Sequence, residues 1–192
     1  MIGSGVITSF DQGTKPANVV SDIYDEVLKT LLASGKWKFA STRVQLAKSS
    51  TAPATEFDNA FVLPADWIRT ISVSNNDVTI GNVMYKHGQV GSQNVLESSS
   101  EDLFLNYVRF EEDPNLMTAL FRNAFTIALA RDMAVPLANS NTLEEQLAKK
   151  ARVALGRAMA VDSMGSFPVN RPRGSWVTSR FRSHNSVGGR EF

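Results

Sequence analysis

The chain has 192 residues, 43% of them hydrophobic, a formal net charge of +1 and no cysteine. That length suits one domain with a sizeable core and an appended segment, and the lack of thiols excludes disulfides, thiolate catalysis and Cys-ligated metals. No apolar run approaches the roughly 18 residues of a membrane span, and residues 1–7 lack the basic start and apolar stretch of a secretion signal, so a soluble, non-exported protein without membrane contact is expected.

Residues 1–13 are small and polar and end in a turn at Asp11 to Gly13. A helix is predicted over 16–34, with Val20, Ile23, Tyr24, Val27, Leu28, Leu31 and Leu32 on one face and Gly35 at the position of a C-terminal glycine. Burying such a face is worth on the order of 10 kcal/mol, so it needs a cover. Trp37 and Phe39 alternate with Lys36 and Lys38, which predicts an extended course leading into a strand over 42–47. A loop follows over 48–56, then residues 57–63, a turn at Pro64 and Asp66, and a strand from Ile68 to Val73. Short strands are expected at 78–80, 83–86 and 94–96, and the segment from Leu103 to Phe110 carries the strongest strand signal of the chain. All the β signal lies between the first helix and the second.

The second helix is expected to open at Asp113 as N-cap with Pro114 behind it, and to stop before Pro136. Its apolar set, from Leu116 and Met117 through Phe121, Phe125 and Ile127 to Met133, covers far more than the stripe of about 100° that one partner surface needs. The third helix opens with a capping box, Thr142 to Glu145, and runs to Ser163. Its face is Leu143, Leu147, Ala151, Ala154, Leu155 and Ala158; these are mostly small residues that allow close helix approach, and Gly156 is assigned to such a contact. The short connection makes these two helices antiparallel neighbours. The resulting expectation is an α+β fold, mainly α: a three-helix core with an inserted small antiparallel β-meander at about 41–110, together forming a domain over 1–163, and an extended C-terminal arm over 164–192. Phe125 is taken as an outward apolar position, where a charge spares folding and blocks contact with a neighbouring subunit.

The arm holds five arginines against the single Glu191, while residues 1–163 are mildly acidic. Phe167, Trp176 and Phe181 lie among Arg171, Arg173, Arg180 and Arg182, a mixture that suits protein docking through aromatic and guanidinium anchors. Stacking on nucleic acid is the competing reading and an unordered tail the plain one. Catalytic patterns are missing: the glycines fall in turns, the neighbouring carboxylates Asp25/Glu26, Glu101/Asp102, Glu111/Glu112 and Glu144/Glu145 do not share a face, and His87 has no visible orienting partner. No cofactor, no metal site and no catalytic residue is therefore expected.

Several stretches, in order, resemble the head-to-tail adaptor proteins of tailed bacteriophages, in particular the tail tubular protein A and tail accessory factor group of short-tailed phages. They are Ser9 to Lys15 leading into a helix, Leu31-Leu32 followed by Trp37 to Ala40, Phe61 to Arg69, Leu105 to Val108 before Asp113-Pro114, and the alanine-rich 124–134 and 148–162. The likeness covers roughly residues 8–163 and rests on the order of the motifs. It implies a structural virion protein of the tail neck, assembled in the host cytoplasm. Such a protein forms a ring, commonly dodecameric, of identical subunits beneath the portal protein, extends the channel for genomic DNA without specific binding and presents a platform for a downstream tail protein. A tail-associated peptidoglycan hydrolase and a DNA-binding packaging accessory protein are the alternatives.

Overall fold

The computed structural model describes residues 8–75 and 83–165. Helix α1 (Lys15–Ser34) has Pro16 in its first turn and buries Ala17, Val20, Val27, Leu28, Leu31 and Leu32, the spacing expected of one amphipathic face. It ends at Gly35 in an extended conformation (φ −136°), not the left-handed one expected of a capping glycine. The glycine is required for space instead, because a Cβ there would lie 2.9 Å from Cε2 of Trp37. Trp37 folds back under the helix end, 1% exposed, and its indole Nε1 donates 2.9 Å to the Leu31 carbonyl, one of the acceptors a helix terminus leaves free. The expected extended course is thus a 3-10 turn over Lys38–Ala40. It presents the Trp37 and Phe39 rings to Phe121 at 4.8 and 4.9 Å between centroids.

Among the described residues six antiparallel strands follow: β1 (Ser41–Gln45), β2 (Asn59–Val62), β3 (Trp67–Ser74), β4 (Lys86–Val90), β5 (Gln93–Ser98) and β6 (Phe104–Arg109). They form two three-stranded sheets, ordered β1-β6-β3 and β2-β5-β4. A small meander inserted into a mainly helical fold is therefore incorrect. The β part is a substantial layer with its own core, and most of its pairings skip along the chain; among the described residues only β4 and β5 form a hairpin, turned at Gly91 with φ of 62°. The expected strand at 78–80 lies outside the described residues.

Backbone bonds from Ser49 to Ala60 and from Val62 to Ala47 carry the chain after β1 onto β2, so the sheets are joined along that edge. Leu46, Phe61, Leu63, Val73, Leu96, Leu103, Leu105 and Tyr107 fill the space between them. The β6 strand decides the architecture. Leu105 and Tyr107 point into that inter-sheet core while Val108, on the opposite face, joins the helical core with Leu28, Leu32, Trp37 and Phe121. One sheet thus separates two hydrophobic clusters.

The stretch from Leu63 to Arg69 is the junction. Trp67 N–H closes a turn on the Pro64 carbonyl, Asp66 accepts the Tyr107 hydroxyl at 2.9 Å, and Arg69 donates 3.1 Å to the Ala33 carbonyl at the end of α1.

Helix α2 (Ala119–Ala138) begins later and ends later than its sequence signals indicate. Asp113 holds a turn through the Asn115 N–H at 2.9 Å, and the N-cap is Thr118, whose hydroxyl accepts from Phe121 N. Pro136 sits inside the last turn, where the helix loses a single bond, and the stop is Asn139 in the left-handed conformation (φ 48°). Helix α3 (Asn141–Met164) follows after two residues and is capped by Ser140, not Thr142. Ala151 and Ala158 are its buried positions, in keeping with close approach to α2, whereas Gly156 faces open space.

Candidate functional site

The three helices form a layer in which α2 lies between α1 and α3. Its broad apolar surface follows from that place: Phe121, Phe125 and Ala128 belong to the core shared with α1, while Ala124 and Ala128 border the seam with α3. Phe125 is accordingly not an outward position. It is 7% exposed and meets Tyr24 edge-on at 5.0 Å, because the helix presents that residue to α1 and not to solvent. The expectation that a charge there spares folding is corrected by this burial.

What α2 lacks in free surface, α3 supplies. Only Ala151 and Ala158 along its 24 residues are buried, and Val153 (73% exposed), Val161 and Met164 stand on its open side. Two grooves flank it. One, of about 520 Å³, lies between α1 and α3 over the floor of α2, with Leu31, Ala124, Ala128 and Ala151 at its base and Glu26 and Arg152 on its walls. Arg131 and Asp132 form an ion pair on this wall with contacts of 2.6 and 2.8 Å. The pairing, chiefly the hydrogen bonds that the guanidinium donates to Asp132, holds Arg131 above its ordinary pKa, so it is a fixed cation. The other groove, about 450 Å³, opens on the opposite flank, between Leu120 and Ile127 of α2 and Val153 and Ala154 of α3. Its charged lining is Lys149, Lys150 and Arg157, with no carboxylate among them.

A second feature stands at the start of the chain. The Phe10 ring, 48% exposed, lies 5.4 Å from the ring of Tyr24, which in turn covers Phe125. The Tyr24 hydroxyl is raised above its ordinary pKa by burial first, then by the charges of Glu112 and Asp25. Those two carboxylates therefore rim the aromatic pair.

The remaining candidates read from the sequence have structural places. Lys48 pairs with Glu101 at 2.7 Å and Gln45 donates to Asp102, which fixes the end of β1 against the loop before β6. Arg109 and the Asp113 N–H both bind Glu111. His87 is exposed on β4, its Nε2 3.5 Å from the Thr70 hydroxyl and its ring 5.5 Å from Trp67, so it helps close β4 against β3. Among the described residues no cluster of His, Asp or Glu could hold a metal ion, and no helix is long and apolar enough to cross a membrane. Phe167, Arg171, Arg173, Trp176, Arg180, Phe181 and Arg182 lie outside the described residues.

The basic groove was hidden in the sequence because Lys149, Lys150, Val153 and Arg157 belong to the polar side of α3's pattern. Val153 was its one signal, an apolar residue off the alanine face. Compared with known proteins, the chain matches no family model, and no curated protein shows significant similarity to it.

Proposed function

We propose that this protein is a structural head-to-tail adaptor of a short-tailed bacteriophage, without catalytic activity, that assembles as a ring under the portal protein and carries the next tail component. The order of sequence motifs from Ser9 to Asp162 suggests the role. The observation that carries it is the open side of α3: a 24-residue helix packed on one flank only, with solvent-facing Val153, Val161 and Met164 and a groove along it. Isolated exposed apolar residues are ordinary, but a row of them beside an apolar groove is the kind of surface that proteins use for each other.

In this reading the helical layer makes the subunit contacts, and the arm of residues 164–192 reaches the portal through Phe167, Trp176, Phe181 and the arginines around them. The acidic balance of residues 1–163 suits a channel through which genomic DNA slides, since phosphate binding grows with each Lys or Arg that neutralises a charge. The ring forms in the host cytoplasm and stays in the neck of the virion, away from any membrane.

Full-length protein mixed with the portal of the same phage is expected to form a ring on the portal's outer end, visible by electron microscopy. Deletion of residues 165–192 is expected to abolish its attachment. If neither class averages nor sedimentation show a complex with portal, the adaptor role is wrong.

A further inference from the structure

We infer that the subunits join head to tail, the aromatic knob at Phe10 and Tyr24 of one copy seating in the basic groove between α2 and α3 of the next. The inference rests on the ring reading above and names its contact. The knob is an exposed phenylalanine tilted against a half-buried tyrosine, with Asp25 and Glu112 beside that tyrosine. The groove is its counterpart in sign, an apolar floor of Leu120, Ile127 and Ala154 with Val153 at its rim, beside the cations Lys149, Lys150 and Arg157.

An aromatic side chain filling an apolar pocket inside a ring of charges is the usual composition of an interface hot spot. The opposite charges at its edge set orientation and reject the wrong register. A subunit cannot satisfy its own groove. On α2, Phe121 and Phe125 face α1 and the knob, whereas Leu120, Asn123 and Ile127 open on the other flank of the seam with α3. Knob and groove on different sides make the contact heterologous, and a heterologous contact that closes on itself gives a ring. Duplex DNA is a weaker occupant, because the floor is apolar and Val153 would lie uncovered against phosphates.

Because the native chain contains no cysteine, the contact can be read by cross-linking the full-length protein. Phe10→Cys together with Val153→Cys in one chain should yield, on mild oxidation or with a short bis-maleimide, a ladder of covalent multimers extending beyond the dimer. Either substitution alone should not. Reversing the knob charges (Asp25→Lys with Glu112→Lys) or the groove charges (Lys150→Glu with Arg157→Glu) should each weaken association about tenfold or more, and mixing the two variants should restore it through the inverted pair.

A product that stops at the dimer would mean a two-fold contact and overturns the inference. So does a groove variant that assembles like wild type and loses only retention on duplex DNA. If light scattering or portal binding shows multimers that the cysteine pair does not capture, the interface lies elsewhere and the adaptor role stands. If the chain forms no multimer with or without portal, both fail.

Discussion

Truncation of Phe125 to alanine tests the central claim about the helical layer. The ring is 7% exposed, lies in the cluster with Leu28, Trp37 and Phe121, and meets Tyr24 edge-on at 5.0 Å. Removing a buried phenylalanine costs about 3–5 kcal/mol, of which an edge-on aromatic pair accounts for roughly 0.5–1.5. A domain of this kind has a total stability of only about 5–15 kcal/mol. Phe125→Ala is therefore expected to fold with a urea midpoint lowered by about 1.5 M at an unchanged slope, and Phe125→Asp to be largely unfolded. Val153→Asp, on the open side of α3, should shift stability by no more than about 0.5 kcal/mol. A double-mutant cycle of Phe125→Ala with Tyr24→Ala should return a coupling of about 0.5–1.5 kcal/mol. Equilibrium unfolding followed by far-ultraviolet circular dichroism gives these numbers. If Phe125→Ala unfolds within 1 kcal/mol of wild type, on the order of the ordinary surface effect, then α2 does not bury that face against α1 and the layer is wrongly described.

Three further outcomes follow from particular contacts. Tyr107 is buried against Asp66, and burial, then the hydrogen bond to that carboxylate, pushes its pKa up to about 12 from 10.0. The folded state therefore holds this proton more tightly than the unfolded chain, so the contribution is full below about pH 10 and is lost as pH rises toward about 12. Tyr107→Phe should remove that alkaline slope, as followed by unfolding at several pH values with tyrosinate absorbance as the monitor. Gly88→Ala drives a Cβ into the carboxylate of the buried Glu97, which accepts from Thr55 at 2.8 Å. It is expected to destabilise by about 1–3 kcal/mol, with Glu97→Ala in the same chain relieving much of the clash. Gly35→Ala sets a Cβ 2.9 Å from the Trp37 ring, a milder clash, and should shift the tryptophan emission and near-ultraviolet dichroism, while Gly156→Ala, facing open space, should leave both unchanged.

The local periods were legible in the residues themselves. The face of α1, the alanine seam of α3 and the positions of four strands, β1, β3, β5 and β6, follow from side-chain spacing, a property of each segment alone, whereas β2 was not read as a strand and β4 lies later than the strand expected at 83–86. The junction at Leu63 to Arg69 was visible as a turn, but its partners were not, since Tyr107 and Ala33 are distant along the chain. Helix ends shifted because several residues could cap: Asp113 and Thr118, or Thr142 and Ser140, satisfy the same local rule; packing of Met117 and Phe121 goes with the Thr118 cap, and the Leu143 N–H bonds Ser140.

For the site, the sequence by itself determined the chemistry on offer, a cysteine-free chain with a wide apolar helix and a basic, aromatic arm. Only the tertiary structure decided which of that apolar surface is already used. With α2 between two helices, Phe125 becomes core and the free surface passes to α3, whose own pattern reads as polar at Lys149, Lys150 and Arg157. Likewise Leu105, Tyr107 and Val108 read as one strong strand, yet only the strand order β1-β6-β3 places them between two cores. Periodicity reports the faces of one element, and the partner that covers each face is set by contacts between residues far apart in sequence.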